Sequence, residues 1–180
     1  MRRAPSWTLA HFRNVLDSYP NSPIIVAGDS AGSNLTVALA QGLNADERAR
    51  INALFVLYAW LDLTRVEADY PNNKEEVLLR ADLIPLASER FAGDTPLDDP
   101  MISPLYGEVG NLPHIHVITG DKDMLHQDSL DFVKRVKNES GSIDVTNHTG
   151  YGHDFWLFPT PDGARETRNM ATLMKASLQS

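Results

Sequence analysis

Cysteine is absent from the 180 residues. That excludes a disulfide framework, a thiolate metal site and a thiol nucleophile. Positive charge is scarce: 16 Lys+Arg stand against 24 Asp+Glu, a net charge of −8, the opposite of a nucleic-acid-binding surface. Long apolar runs are missing too, since no stretch approaches the roughly 18 residues of a membrane span. The opening Met1-Arg-Arg-Ala-Pro-Ser-Trp7 has two positive charges with no apolar run behind them, so it does not read as a signal peptide. No Gly-rich loop runs into Lys-Ser/Thr, which disfavours phosphoryl transfer. No pair of histidines has the i, i+4 spacing with acids of a helical zinc site, so a metal is not expected.

What remains is an ordinary globular composition, 42% hydrophobic and 22% charged, in a chain long enough for one core. The expectation is a soluble, cytoplasmic protein forming a single domain over 1–180. Short β-branched runs at Ile24–Ala27, Ile51–Tyr58, Ile115–Thr119 and, more weakly, Ile143–Thr146 read as strands. The first three are apolar enough to be buried on both faces, as in a parallel sheet. Helical periodicity fills Thr8–Tyr19, Ala31–Leu43, Asp128–Asn138 and Pro161–Leu178. Strands alternating with helices define an α/β fold built of βαβ units. A polar, proline-bearing stretch at about 62–112 interrupts the alternation, with a helical pattern over Asn73–Phe91. It is too short for its own core and reads as a cap-like insertion over one end of the sheet.

Chemistry concentrates in the run Gly28-Asp29-Ser30-Ala31-Gly32, which follows the first strand and opens a helix. Gly-x-Ser-x-Gly in that setting is a nucleophile elbow: a strained turn presents the serine, and the glycines let strand and helix approach. The helix N-terminus aims free N–H groups, that of Ala31 first, at developing negative charge. The blander alternative is a tight turn whose serine caps the helix.

A serine nucleophile needs a base and an acid, which come after it in the order Ser, Asp/Glu, His in this kind of fold. Asp121 and Asp123 both come after the third strand; Asp123, ahead of the apolar Met124-Leu125 pair, is the stronger candidate, and Asp121 reads as a turn residue. Asp128 reads as a helix cap or first-turn charge. Of six histidines, His153 lies in the Gly-punctuated loop Thr149–Phe158 after the last strand, where its ring can reach Ser30 and Asp123. His114 and His116 share one face of a strand and read as packing or surface residues. Trp60, Met124, Phe155, Trp156 and Phe158 are candidate walls of an apolar acyl pocket, although core packing is expected to claim at least half of them.

These motifs together resemble the hormone-sensitive-lipase-like α/β-hydrolases. Gly28-Asp-Ser-Ala-Gly32 matches that family's elbow, including Asp29. Trp60-Leu-Asp62 and Ile102-Ser-Pro-Leu-Tyr106 resemble further family segments, Gly120-Asp-Lys-Asp123 its catalytic-acid loop, and Gly152-His153-x-Phe155 its histidine loop. The resemblance implies cofactor-free hydrolysis of carboxylic esters of short- to medium-chain acids, with small-molecule esters as substrates.

There are two departures from the family pattern. Asp154 stands after the histidine, where the family usually has Gly. Arg2-Arg-Ala-Pro5 resembles a family element that lies well inside a full-length enzyme, after a His-Gly-Gly-Gly oxyanion loop and the first strands. The resemblance therefore implies an incomplete sheet with the Ser30 strand at an exposed edge, open to pairing or self-association, and weak activity for lack of oxyanion donors. A prolyl-oligopeptidase-like peptidase, and an impaired hydrolase fragment acting as a binding or interaction module, stay open as alternatives.

Overall fold

The computed structural model describes residues 4–71, 74 and 76–179, with side chains from Trp7 onward. Four strands form one parallel sheet in chain order: β1 (Ile24–Asp29), β2 (Ile51–Leu57), β3 (His114–Gly120) and β4 (Ile143–His148). Among the helices, α1 (Ala4–Ser18) precedes the sheet and α2 (Ala31–Gly42) with the short α3 (Ala45–Arg48) links β1 to β2. The β2–β3 connection carries α4 (Ile84–Ala92), α5 (His126–Asn138) links β3 to β4, and α6 (Pro161–Ser177) closes the chain. Parallel strands require such crossovers, and all four carboxyl ends therefore share one edge of the sheet.

Three apolar clusters hold this arrangement. On one face, Val37, Leu39 and Leu43 of α2 and Phe132, Val133 and Val136 of α5 meet Leu54, Val56, Ile115 and Val117 of the central strands, with Leu9 and Phe12 of α1 packed outside. On the other face, Met170, Leu173 and Met174 of α6 cover Ala53, Phe55 and Ile118. Phe132 and Leu54 are fully buried, and each such side chain contributes about 1.5–3 kcal/mol. The third cluster lies along the β2–β3 connection, where Tyr70, Ala81, Ile84 and Ile102 pack on Trp60, Met124 and Leu125. The connection is thus anchored next to the carboxyl ends of β2 and β3.

The structure departs from the sequence reading in two places. β1 is not buried on both faces: among the described residues it pairs only with β2, and its positions are half-buried or exposed. Its apolar composition reflects one covered face at a sheet edge. The helix expected over Asn73–Phe91 starts only at Ile84, after a 3₁₀ turn at Ala81–Leu83; Asn73 lies outside the described residues. Two causes act here. Pro85 fits a first helical turn and disfavours helix before it. Upstream, the Glu76 carboxylate accepts the amides of Val77 (2.8 Å) and Leu78 (2.7 Å), replacing the backbone acceptors a helix would use.

Candidate active site

Ser30 sits between β1 and α2 with φ 52° and ψ −120°, a strained conformation for a residue with a side chain. Its backbone is gripped from the neighbouring strand: the Ser30 amide donates to Leu57 O (2.9 Å), and Trp60 N donates to Ser30 O (3.3 Å). Gly28 makes the turn sterically feasible. A Cβ there would lie 2.2 Å from the Gly32 carbonyl oxygen, whereas a Cβ at Gly32 meets only Asp29 Oδ1 at 3.6 Å, an ordinary contact. The close approach thus falls on the first glycine alone. Ser30 makes no side-chain capping bond to α2, which removes the capping alternative. Ala31 opens the helix, and its N–H belongs to the first turn, where no intrahelical acceptor exists.

Asp123 and His153 meet directly. His153 Nδ1 lies 3.0 Å from Asp123 Oδ1, with both side chains almost wholly shielded from solvent. The same oxygen accepts the Leu125 amide at 2.8 Å, which orients the carboxylate. The two loops are stitched together: Lys122 N donates to Tyr151 O (3.0 Å), Asp121 N to His148 O (3.1 Å) and Gly150 N to Asp121 Oδ1 (2.7 Å). Asp121 is therefore the turn residue. Gly120 permits the approach, because a Cβ there would lie 2.2 Å from Tyr151 O. Tyr58, itself at φ 48°, sets its buried ring edge-on to His153 with centroids 6.0 Å apart.

Asp154 is the feature that sequence reasoning did not resolve. It occupies the left-handed region (φ 47°, ψ 37°), which accounts for glycine being the better-suited residue there. Its carboxylate turns onto the other ring nitrogen, with Oδ2 3.2 Å from His153 Nε2, while Oδ1 accepts Trp156 Nε1–H at 3.2 Å. Burial pushes the Asp154 carboxyl up to about 6, with His153 opposing that rise. Burial acts to lower His153, but the hydrogen bond and charge of Asp123, joined by the charges of Asp154 and Glu76, outweigh it and hold the imidazole above its ordinary value. With Nδ1–H committed to Asp123, the Nε2–Oδ2 contact requires a shared proton. The Ser30 hydroxyl has no hydrogen-bond partner among the described residues, so Asp154 holds the nitrogen a nucleophilic serine would use.

The candidate pocket residues divide. Trp60 and Met124 are buried in the cluster of the β2–β3 connection, whereas Phe155 and Trp156 pack toward Ile25 and α6 on the other face. Phe158 is 40% exposed. Asp128 exceeds its expected part as a first-turn charge. Fully buried, it accepts the amides of Leu61 (2.8 Å) and Asp62 (2.9 Å) and pairs with Arg65 at 2.6 Å, fixing the chain just beyond Trp60. The other histidines are engaged elsewhere: His126 with Thr119 Oγ1 (3.0 Å), His148 with Glu166 (2.9 Å), and His11 against the Trp7 ring.

A strained serine elbow and a buried Asp–His pair, both at the carboxyl edge of a parallel sheet, define an α/β-hydrolase type of site. Comparison with known proteins agrees on the fold. The family model for the alpha/beta hydrolase fold matches residues 2–157, and the chain belongs to that family. It is 28% identical over 137 residues to an esterase of Acinetobacter venetianus, covering 75% of this chain and 45% of the relative. It is 33% identical over 124 residues to an acetyl-hydrolase of Streptomyces hygroscopicus, covering 67% of this chain and 41% of the relative. The chain thus spans less than half the length of these curated relatives. A hormone-sensitive lipase from a metagenome library superposes with a TM-score of 0.85 at 23% identity, over 98% of this chain and 62% of that one. Among the described residues, no helix is long and apolar enough to cross a membrane.

Proposed function

We propose that the chain carries the catalytic residues of a serine hydrolase acting on carboxylic esters of short- to medium-chain acids. The buried His153–Asp123 hydrogen bond at the edge that also bears the strained Ser30 turn carries this reading. Ser30 Oγ attacks the ester carbonyl carbon as His153 Nε2 takes the hydroxyl proton. The carbonyl oxygen becomes an oxyanion at the N-terminus of α2, with the Ala31 N–H as one donor. Collapse expels the alcohol, which leaves with the proton from His153, and an acyl-Ser30 ester remains. Water then gives a proton to His153 and adds to the acyl carbon; the acid departs and Ser30 regains its hydrogen. Asp123 keeps Nδ1 protonated and stabilises the imidazolium. The 62–112 connection acts as a cap, with Trp60 and Met124 on the acyl side.

The test compares p-nitrophenyl acetate, butyrate and octanoate with a Gly-Pro-anilide on the whole chain and on Ser30→Ala. Turnover of the esters but not of the anilide, abolished by Ser30→Ala, supports the esterase. Anilide cleavage points to a peptidase instead. A second reading, an impaired hydrolase acting as a binding module, is favoured by the Asp154 carboxylate on His153 Nε2. It predicts ester binding without turnover.

A further inference from the structure

A second cluster of side chains lies at the opposite end of the sheet, where β3 begins. His114 and His116 alternate along β3 and so share a face, and register pairs His116 with Asp144 of β4 on that same face. His114 Nε2 lies 3.3 Å from Asp144 Oδ2, and His116 Nδ1 lies 3.9 Å from that oxygen. One ligand atom from each residue falls within 4.8 Å of the others. Metal–nitrogen and metal–oxygen bonds of about 2.0–2.1 Å in a tetrahedron separate neighbouring donors by about 3.3–3.4 Å.

The outward nitrogens are also anchored. His114 Nδ1 lies 2.7 Å from Ser142 Oγ. His116 Nε2 lies 3.2 Å from Ser177 Oγ in the last turn of α6, and that hydroxyl donates to Leu173 O at 3.0 Å. With the serine proton on Leu173 O, His116 donates its Nε2–H, and the Nδ1 lone pair faces Asp144. The ring is held further by stacking on Phe55, with centroids 4.7 Å apart. A lone pair and a carboxylate oxygen converging on one point call for a cation between them, and an imidazole whose far nitrogen is hydrogen-bonded is how proteins orient histidine ligands.

We propose that His114 Nε2, His116 Nδ1 and Asp144 Oδ2 bind a divalent transition cation of the zinc class, with solvent completing its coordination. Imidazole and carboxylate together suit Zn²⁺ over Mg²⁺ or Ca²⁺, which prefer oxygen donors alone. Asp144 is 72% exposed at its side chain and His114 33%, so the position is open to ions from solution. The bound ion would cross-link β3 and β4 and, through Ser177, fix the end of α6. Its absence from the sequence reading has a simple origin: the spacing is i, i+2 on a strand with a partner from the next strand.

Isothermal titration of the whole chain with ZnCl₂ tests this, with Co²⁺ visible absorption as a spectroscopic readout of the donor set and geometry. The expected result is one saturable site, a tetrahedral-type Co²⁺ spectrum, and a raised melting temperature with the metal. His114→Ala and Asp144→Asn should each weaken binding at least about tenfold, and Ser177→Ala by about 10-fold or more, as for other residues that orient ligands. Ser30→Ala should bind as the parent does. Circular dichroism melts of the metal-free variants establish that each is folded. Absence of saturable binding, or affinity equal to the parent's in folded His114→Ala and Asp144→Asn, overturns the proposal.

Discussion

Replacing Asp154 by glycine removes two contacts, that of Oδ2 with His153 Nε2 and that of Oδ1 with the Trp156 indole N–H. In the parent, His153 Nε2 and Asp154 Oδ2 share a proton across 3.2 Å inside a site closed to solvent. Before Ser30 can engage the imidazole, that charge-assisted contact must break. Such bonds contribute about 1.5–3 kcal/mol net, and at 1.36 kcal/mol per tenfold this is a rate deficit of about 10- to 150-fold. Asp154→Gly removes the contact and suits the backbone, because a left-handed non-glycine residue costs roughly 1–2 kcal/mol. The lost contacts and the relieved backbone are of similar size, so the variant should stay within about 1–2 kcal/mol of the parent's stability and be faster by that factor near neutral pH.

The pH dependence carries a definite sign. A general base works deprotonated, so activity rises as pH passes through the His153 value, which its neighbouring carboxylates hold up. Removing one of them lowers that value, and the acid limb of the profile moves to lower pH. The gain should shrink in alkaline solution, where the parent's shared proton is also lost. Asp154→Asn is the control: it removes the charge, but its amide N–H still donates to Nε2, so the limb shifts with less gain in rate. The assay is the pH–rate profile of p-nitrophenyl acetate hydrolysis for all three proteins. An Asp154→Gly profile coinciding with the parent's, in a folded protein, would refute the reasoning.

Further consequences concern the scaffold. Gly28→Ala drives a Cβ into the Gly32 carbonyl at 2.2 Å, backbone that cannot swing aside; it should cost about 1–3 kcal/mol in chemical denaturation and slow ester turnover more than it weakens ester binding. Asp128→Ala strips Arg65 of its closest carboxylate and orphans the Leu61 and Asp62 amides. A loss of about 3–5 kcal/mol is expected from the urea midpoint, the range for breaking a buried pair. A loss below about 1 kcal/mol would show that Asp62 and Asp131, which also meet Arg65, take over the role.

Much of the site was legible because its parts are local. The β1–turn–α2 elbow is a contiguous pattern, and the loops bearing Asp123 and His153 each come directly after an apolar strand, so a parallel sheet brings them to one edge. Asp121 and Asp123 were separable only through the next two residues, since Met124 and Leu125 enter the core and carry Asp123 inward. The illegible parts are contacts across sequence. Which ring atom Asp154 touches depends on a left-handed turn that its residue type does not announce. Beyond the effect of Pro85, the late start of α4 depends on the Glu76 carboxylate capturing nearby amides. The separation of Phe155 and Trp156 from Trp60 depends on which side of the sheet the chain passes after His153.

The most direct test of the central claim is covalent. The whole chain is treated with a fluorophosphonate, its intact mass is measured, and the modified peptide is mapped, with Ser30→Ala in parallel. The account predicts one phosphonyl group per chain, on Ser30, absent from Ser30→Ala and formed faster in Asp154→Gly. A folded protein that takes no label in either the parent or Asp154→Gly, or takes it on another residue, would contradict the assignment of Ser30 as nucleophile.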